Sequence, residues 1–208
     1  MSLELWLLYA GAAILLSLTP GPNSLLSLTH GGLYGARRTT YTALGSVCGF
    51  TLVIALSMSG FSAILAASEQ LFTTIKWVGA AYLVYLGIKT WRAPPLHLER
   101  VAGASTSPKS GRKLFSEGLV VALSNPKAIL FFAAFLPQFI DTEQSLLVQF
   151  VAMAGTFMAI EFLFELLLAT CSQRMVPWMN RSKYSRWFQR ITGSTFIGAG
   201  TLLATIEK

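Results

Sequence analysis

The sequence predicts an all-α integral membrane protein: six transmembrane helices as two inverted three-helix repeats, with helices 1 and 4 broken at prolines. Three observations predict it. Only 12% of the residues are charged and 53% are hydrophobic, whereas a soluble domain carries about a quarter charged residues. Apolar windows fall at roughly 5–28, 42–66, 71–91, 114–138, 146–172 and 188–206, each near the ~20 residues of helix that cross a hydrocarbon core. The basic residues gather in every second joint between them.

The first window holds "SLTPGPNSLL", residues 17–26, inside an otherwise unbroken apolar run. Its leading segment, "MSLELW", has Glu4 and no basic flank, so it reads as a retained span and not as a cleaved signal. The second window carries Gly45 and Gly49, the third Gly79 and Gly87, and the sixth Gly193, Gly198 and Gly200. Small residues of this kind mark close helix contacts in membranes. Between the third and fourth windows, residues 92–113 are rich in Pro, Ser, Gly and charge and read as a linker. The expected organisation is therefore a repeat at 1–91, a cytoplasmic linker at 92–113 and a second repeat at 114–208. Trp6, Trp77, Trp91, Trp178 and Trp187 fall near window ends, where an interfacial belt would place them.

Orientation follows from charge. The first, third and fifth joints hold 13 of the 16 basic residues, among them Arg37, Arg38, Arg112, Lys113, Arg181 and Arg186. The even joints are neutral or acidic, with Glu69 beside Lys76 and Asp141 beside Glu143. The positive-inside rule makes the odd joints cytoplasmic and both termini periplasmic. An odd number of helices per half then inverts the second half relative to the first, as in many secondary transporters. The halves share one feature: "LTPGPN" in window 1 and "LSNPKA", residues 123–128, in window 4 each set a hydroxyl or amide residue before a proline.

The net charge of +7 does not point to nucleic acid, because the basic residues sit in short joints and not along one face. Cys48 and Cys171 lack metal-ligand spacing and read as small buried hydrophobes; no metal or cofactor is implied.

A proline inside a span frees backbone carbonyls that lipid cannot satisfy, so the breaks are expected to face protein or a wet cavity. Thr19 before Pro20, and Asn125 before Pro126, read as N-caps with proline at the first helical position. Gly21, Pro22 and Asn23 complete the first break. Half-helices would start at about residues 20–23 and 125–127, from opposite sides of the membrane, each offering unpaired N–H groups to an anion. Lys127 adds a cation, and a solute carboxylate suits that setting. Glu161 and Glu165, four residues apart on one face of window 5, supply the opposite charge and are candidates for holding an ammonium group or carrying a proton. Glu165 lies nearer the cytoplasmic end, where water could reach it, and ranks below Glu161. A structural ion pair between Lys127 and a glutamate is the plainer alternative.

"LTPGPNSLL", "KWVGAAYLVYLGIKTWR" (76–92) and "NPKAILFFAAFLPQF" (125–139) resemble the hallmark blocks of the LysE/RhtB family of bacterial amino-acid exporters, in order, spacing and chain length. The second and third blocks are closer to its homoserine/threonine branch than to its lysine branch. The resemblance implies six transmembrane helices in the inner membrane and efflux of a small amino acid or derivative, driven by proton exchange. It also implies a role for Glu161, since the branch often has an acidic residue there, and assigns none to Glu165. The expected partners are a small amino acid, protons and the bilayer, with a homo-oligomer left open. The rival readings are a passive facilitator or channel, a transmembrane thiol carrier, and an embedded enzyme using Glu161 and Glu165 as an acid/base pair. No nucleophile, metal triad or phosphate loop accompanies that pair.

Overall fold

The computed structural model describes residues 2–19, 21–67, 69–94, 109–141, 143–179 and 181–205. Pro20 and most of the linker, 95–108, lie outside the described residues, so the expectations made for them are not addressed. Every described element is helical: α1 (Leu3–Leu18), α2 (Pro22–Tyr34), α3 (Ala36–Ala67), α4 (Glu69–Trp91), α5 (Gly111–Leu123), α6 (Pro126–Ala134), a 3-10 turn at Leu136–Phe139, α7 (Leu146–Met179) and α8 (Ser182–Thr205).

The helix starts follow their capping chemistry. Ser2 accepts from Leu5 N at 3.2 Å and Ser110 from Lys113 N at 3.3 Å, each satisfying an N–H left without an intrahelical partner. Gly35, at φ 78°, turns the chain out of α2 into α3, a backbone conformation that favours glycine. Helices α3, α7 and α8 extend beyond their apolar windows, because flanking segments such as "ARRTTY" remain helical outside the hydrophobic stretch.

By length and apolarity, Ala36–Gly60 and Leu146–Met175 can each cross a membrane alone. The pairs α1/α2 and α5/α6 also qualify if each is one span, bent by 56° and 50° at its break. The described residues thus hold two to four candidate spans on this measure.

Two seams join the halves of the chain. Helix α3 runs along α5, where a β-carbon on Gly49 would come within 2.7 Å of Ala122 Cβ, and Gly45 and Gly118 meet the backbone of the opposite helix. Helix α4 runs along α8, where carbons added to Gly87 and Gly193 would fall 2.7 and 2.6 Å from each other's carbonyl oxygens. Gly200 packs on the Ala80 carbonyl in the same seam. Gly198 does not belong to a seam: nothing lies within 4 Å of its missing carbon, because it faces an open groove. Gly31, which the spacing of small residues did not single out, brings α2 onto the Ala169 backbone of α7. The cysteines also depart from expectation: Cys48 is exposed on α3 and Cys171 is half-buried on α7, because both fall off the inward faces of their helices.

The core is divided along its length. One end is apolar and aromatic: Phe50, Phe132 and Phe157 meet edge to face, Phe135 stacks between Phe131 and Phe139, and Tyr9 closes the cluster by donating to Met153 O at 3.0 Å. The other end is lined by buried polar residues of α2, α3 and α7.

The seams give a test. Gly118→Ala should lower the thermal unfolding temperature of the detergent-solubilised protein, at about 1–3 kcal/mol for overpacking, because its carbon would fall on the Thr42 carbonyl. Gly155→Ala and Gly198→Ala, with open space around the new carbon, should leave it unchanged.

Candidate functional site

The two breaks meet in the middle of the molecule. At the second, Asn125 caps α6 as its sequence predicts, its Oδ1 accepting from Lys127 N at 3.1 Å with Pro126 in the first turn. At the first, the cap is Gly21 and not Thr19, and Pro22 opens α2. Thr19 instead closes α1, its hydroxyl donating back to Leu15 O at 2.7 Å. Thr19 and Gly21 both have extended backbone, and the cap lies two residues later than Thr19.

Asn125 Nδ2 donates to Asn23 Oδ1 at 2.9 Å, and Asn23 Nδ2 donates to Ser46 Oγ at 3.0 Å. A single buried chain of side-chain amides therefore ties α6, α2 and α3 together. Ser46 had gone unnoticed in the sequence.

Lys127 crosses the gap between the halves. Its ammonium, on a side chain only 7% exposed, donates to Leu16 O at 2.9 Å and Thr19 O at 2.7 Å. Both carbonyls lie at the C-terminal end of α1, where Leu16 O also accepts from Thr19 N at 3.2 Å, so the cation sits at the negative end of the α1 dipole. Gly21 leaves the room: a β-carbon there would lie 3.2 Å from Lys127 Cε.

The glutamates lie across from this cation on α7. Glu161 is 3% exposed and Glu165 is 0% exposed, so the expectation that Glu165 lies where water reaches it is corrected. The cause is α2, which packs along α7 there and sets Ser27 Oγ 2.8 Å from Glu165 Oε2 as a donor. Neither carboxylate is within 4.0 Å of the Lys127 ammonium, although the three groups share one electrostatic neighbourhood. The plain structural ion pair is thus not formed. Glu161 Oε2, Glu165 Oε1 and Ser17 Oγ are buried with no hydrogen-bond partner.

Sequence reasoning missed a polar stripe. Asn23, Ser27 and His30 lie at i, i+4 and i+7 on α2, and Thr39, Thr42 and Ser46 at i, i+3 and i+7 on α3; all six are buried. That spacing was the signal available. Beside the first break, Thr19 borders a cavity of about 430 Å³ whose other walls, including Leu83, Phe131, Phe135 and Phe196, are almost wholly apolar.

No solved structure matches this chain. A family model described as LysE type translocator matches residues 14–206. A homoserine/homoserine lactone efflux protein of Salmonella typhi is 33% identical over 99% of this chain and 98% of its own. A leucine efflux protein of Klebsiella pneumoniae is 29% identical over 98% and 96%, and an uncharacterized membrane protein of Vibrio cholerae is 33% identical over the full length of both. The chain belongs to the LysE type translocator family, a membrane transporter and not an enzyme.

Proposed function

We propose that the chain exports a small neutral amino acid or derivative, homoserine- or threonine-like, across the inner membrane by proton antiport with alternating access. The observation that carries this reading is the meeting of two proline-broken helices through the Asn125–Asn23 bond, beside three buried ionisable groups. A soluble-type core would have no reason to bury one ammonium and two carboxylates there without pairing them directly.

In this reading the solute's carboxylate is held at the half-helix starts, near Thr19, Pro20, Gly21, Pro22, Asn23, Asn125 and Pro126, with Lys127 supplying the positive field. Its ammonium group binds Glu161, whose Oε2 is unpartnered. One ammonium on Lys127 balances one carboxylate, so the second carboxylate of the Glu161/Glu165 pair is where a proton rides. A neutral solute fits this balance better than a cationic one, and the relatives named for homoserine and leucine support it. The neighbouring cavity, being apolar, suits an uncharged side chain.

Six spans in two inverted repeats accommodate the packing. Exchanging α1/α2 with α5/α6, α3 with α7 and α4 with α8 turns the α3·α5 contact into one between α7 and the first broken pair, and leaves α4·α8 unchanged. Both contacts exist. The basic joints put both termini in the periplasm.

A facilitator is the second reading, favoured only by the continuity of the buried polar stripe. A thiol carrier would need cysteines beside the breaks, and Cys48 and Cys171 lie on α3 and α7.

The test is efflux from vesicles containing purified protein, comparing homoserine, threonine, leucine and lysine with and without acid on the periplasmic side. Acid-stimulated export of a neutral amino acid is expected, and Glu161→Gln should cut that stimulation by at least about tenfold. Equal downhill flux in both conditions would make the protein a facilitator. Lys127→Met should leave the Thr19 carbonyl without its lysine donor while Leu16 O keeps Thr19 N–H, lowering stability by about 1–3 kcal/mol as well as abolishing export.

A further inference from the structure

The polar stripe does not end at Glu165. One helical turn beyond Ser27 on α2, the imidazole of His30 is buried with both nitrogens engaged. Its Nδ1 lies 2.8 Å from Thr42 Oγ1 on α3, and its Nε2 lies 3.2 Å from Glu117 Oε2 on α5. Glu117 in turn accepts from Lys109 Nζ at 2.7 and 2.8 Å, has Lys113 Nζ at 4.0 Å, and is 23% exposed. Arg38 Nη2 holds the Lys109 carbonyl at 3.1 Å. From its own helix His30 meets the Tyr34 ring, 5.4 Å between centroids, and on α7 the acidic group of this face is Glu165, reached through Ser27. Two bonded groups lie end to end along this face: Glu165 with Ser27, buried, and, one turn of α2 further on, Thr42, His30 and Glu117, wet at Glu117.

We propose that His30 and Glu117 form the proton-exchange station between the buried glutamates and the cytoplasm. This rests on the proton-coupled reading above. An imidazole can accept a proton at one nitrogen while giving one up at the other, which a hydroxyl or amide in the same place cannot do at neutral pH. The proton released from the glutamate pair is taken up by His30 through the hydroxyls of α2 and α3. It leaves from Nε2 to the Glu117 carboxylate, and Glu117 returns it to water. One proton enters the row and one leaves. Lys109 and Lys113 flank the Glu117 carboxylate at the wet end of this path.

The experiment uses the full chain in vesicles, with two measurements: exchange of labelled for unlabelled solute without a gradient, and acid-driven net export with proton entry followed by a trapped pH dye. His30→Gln should leave exchange within about twofold while cutting net export and proton entry by at least about tenfold. Glu117→Gln should act in the same direction and flatten the rise in export with increasing cytoplasmic-side pH. Coupled export at the unmodified rate in both variants overturns the assignment and leaves the antiport reading standing. Loss of exchange together with export in both variants makes the cluster a structural tie and overturns it too. Absence of proton entry in the unmodified protein overturns the antiport reading itself, and this inference with it.

Discussion

The constraint on which the structure depends is that a helix broken inside an apolar medium leaves backbone groups which only the protein can satisfy. At the end of α1, Thr19 turns its hydroxyl back on the Leu15 carbonyl and shares its N–H between Leu15 and Leu16, while Lys127 reaches over from the other half of the chain to the Leu16 and Thr19 carbonyls. The break before α6 is answered by Asn125, whose amide then has a hydrogen left for Asn23. Each half therefore completes the other's interrupted helix. Neither proline motif makes sense alone, and their pairing explains why a lysine is tolerated so deep in the molecule.

The division of the core follows from the same point. On the α6 side of the breaks the helices meet through aromatic rings, and on the α2 side through hydroxyls, amides and carboxylates. A solute or proton could travel the second region by exchanging hydrogen bonds. Passing the first would require Phe50, Phe132 and Phe157 to separate, since rings at 4.9–5.4 Å leave no polar route between them. Around Phe50, Phe132 and Phe157 the core is joined by ring contacts, while Ser27 of α2 meets the buried Glu165 from the other side.

Much of this was legible in the sequence, for identifiable reasons. The proline breaks, the Asn125 cap and the glycine seams at Gly45, Gly49 and Gly87 are local or periodic signals, and each appears where the residues place it. Thr19 was misread because capping depends on which residue first leaves the extended conformation, and "TPGP" offers two prolines with a glycine between them. Glu165 was misread because its exposure is decided by α2 packing across it through Gly31, a contact between residues 138 positions apart that no window contains. His30 carries no local signal in the sequence, since its partners arrive from α3 and α5.

The seams also limit how such a molecule can move. Rocking one three-helix half as a rigid body against the other is the simplest scheme for a repeat protein, but here the glycine contacts of α3 on α5, α4 on α8 and α2 on α7 all cross from one half to the other. Helices brought this close by glycine cannot part without opening a void between them. Under the proposed alternating access, the bodies that stay intact are the cross-half pairs α3 with α5, α4 with α8 and α2 with α7. Any exchange of access must be taken up where these pairs meet the breaks. There, contact is made by long side chains such as Lys127 and by single hydrogen bonds such as Asn125 to Asn23, which can be remade as the breaks flex. In the proposed mechanism the prolines put the hinge and the site at the same point, so that a solute replacing one of those bonds would act directly on the joint that has to bend.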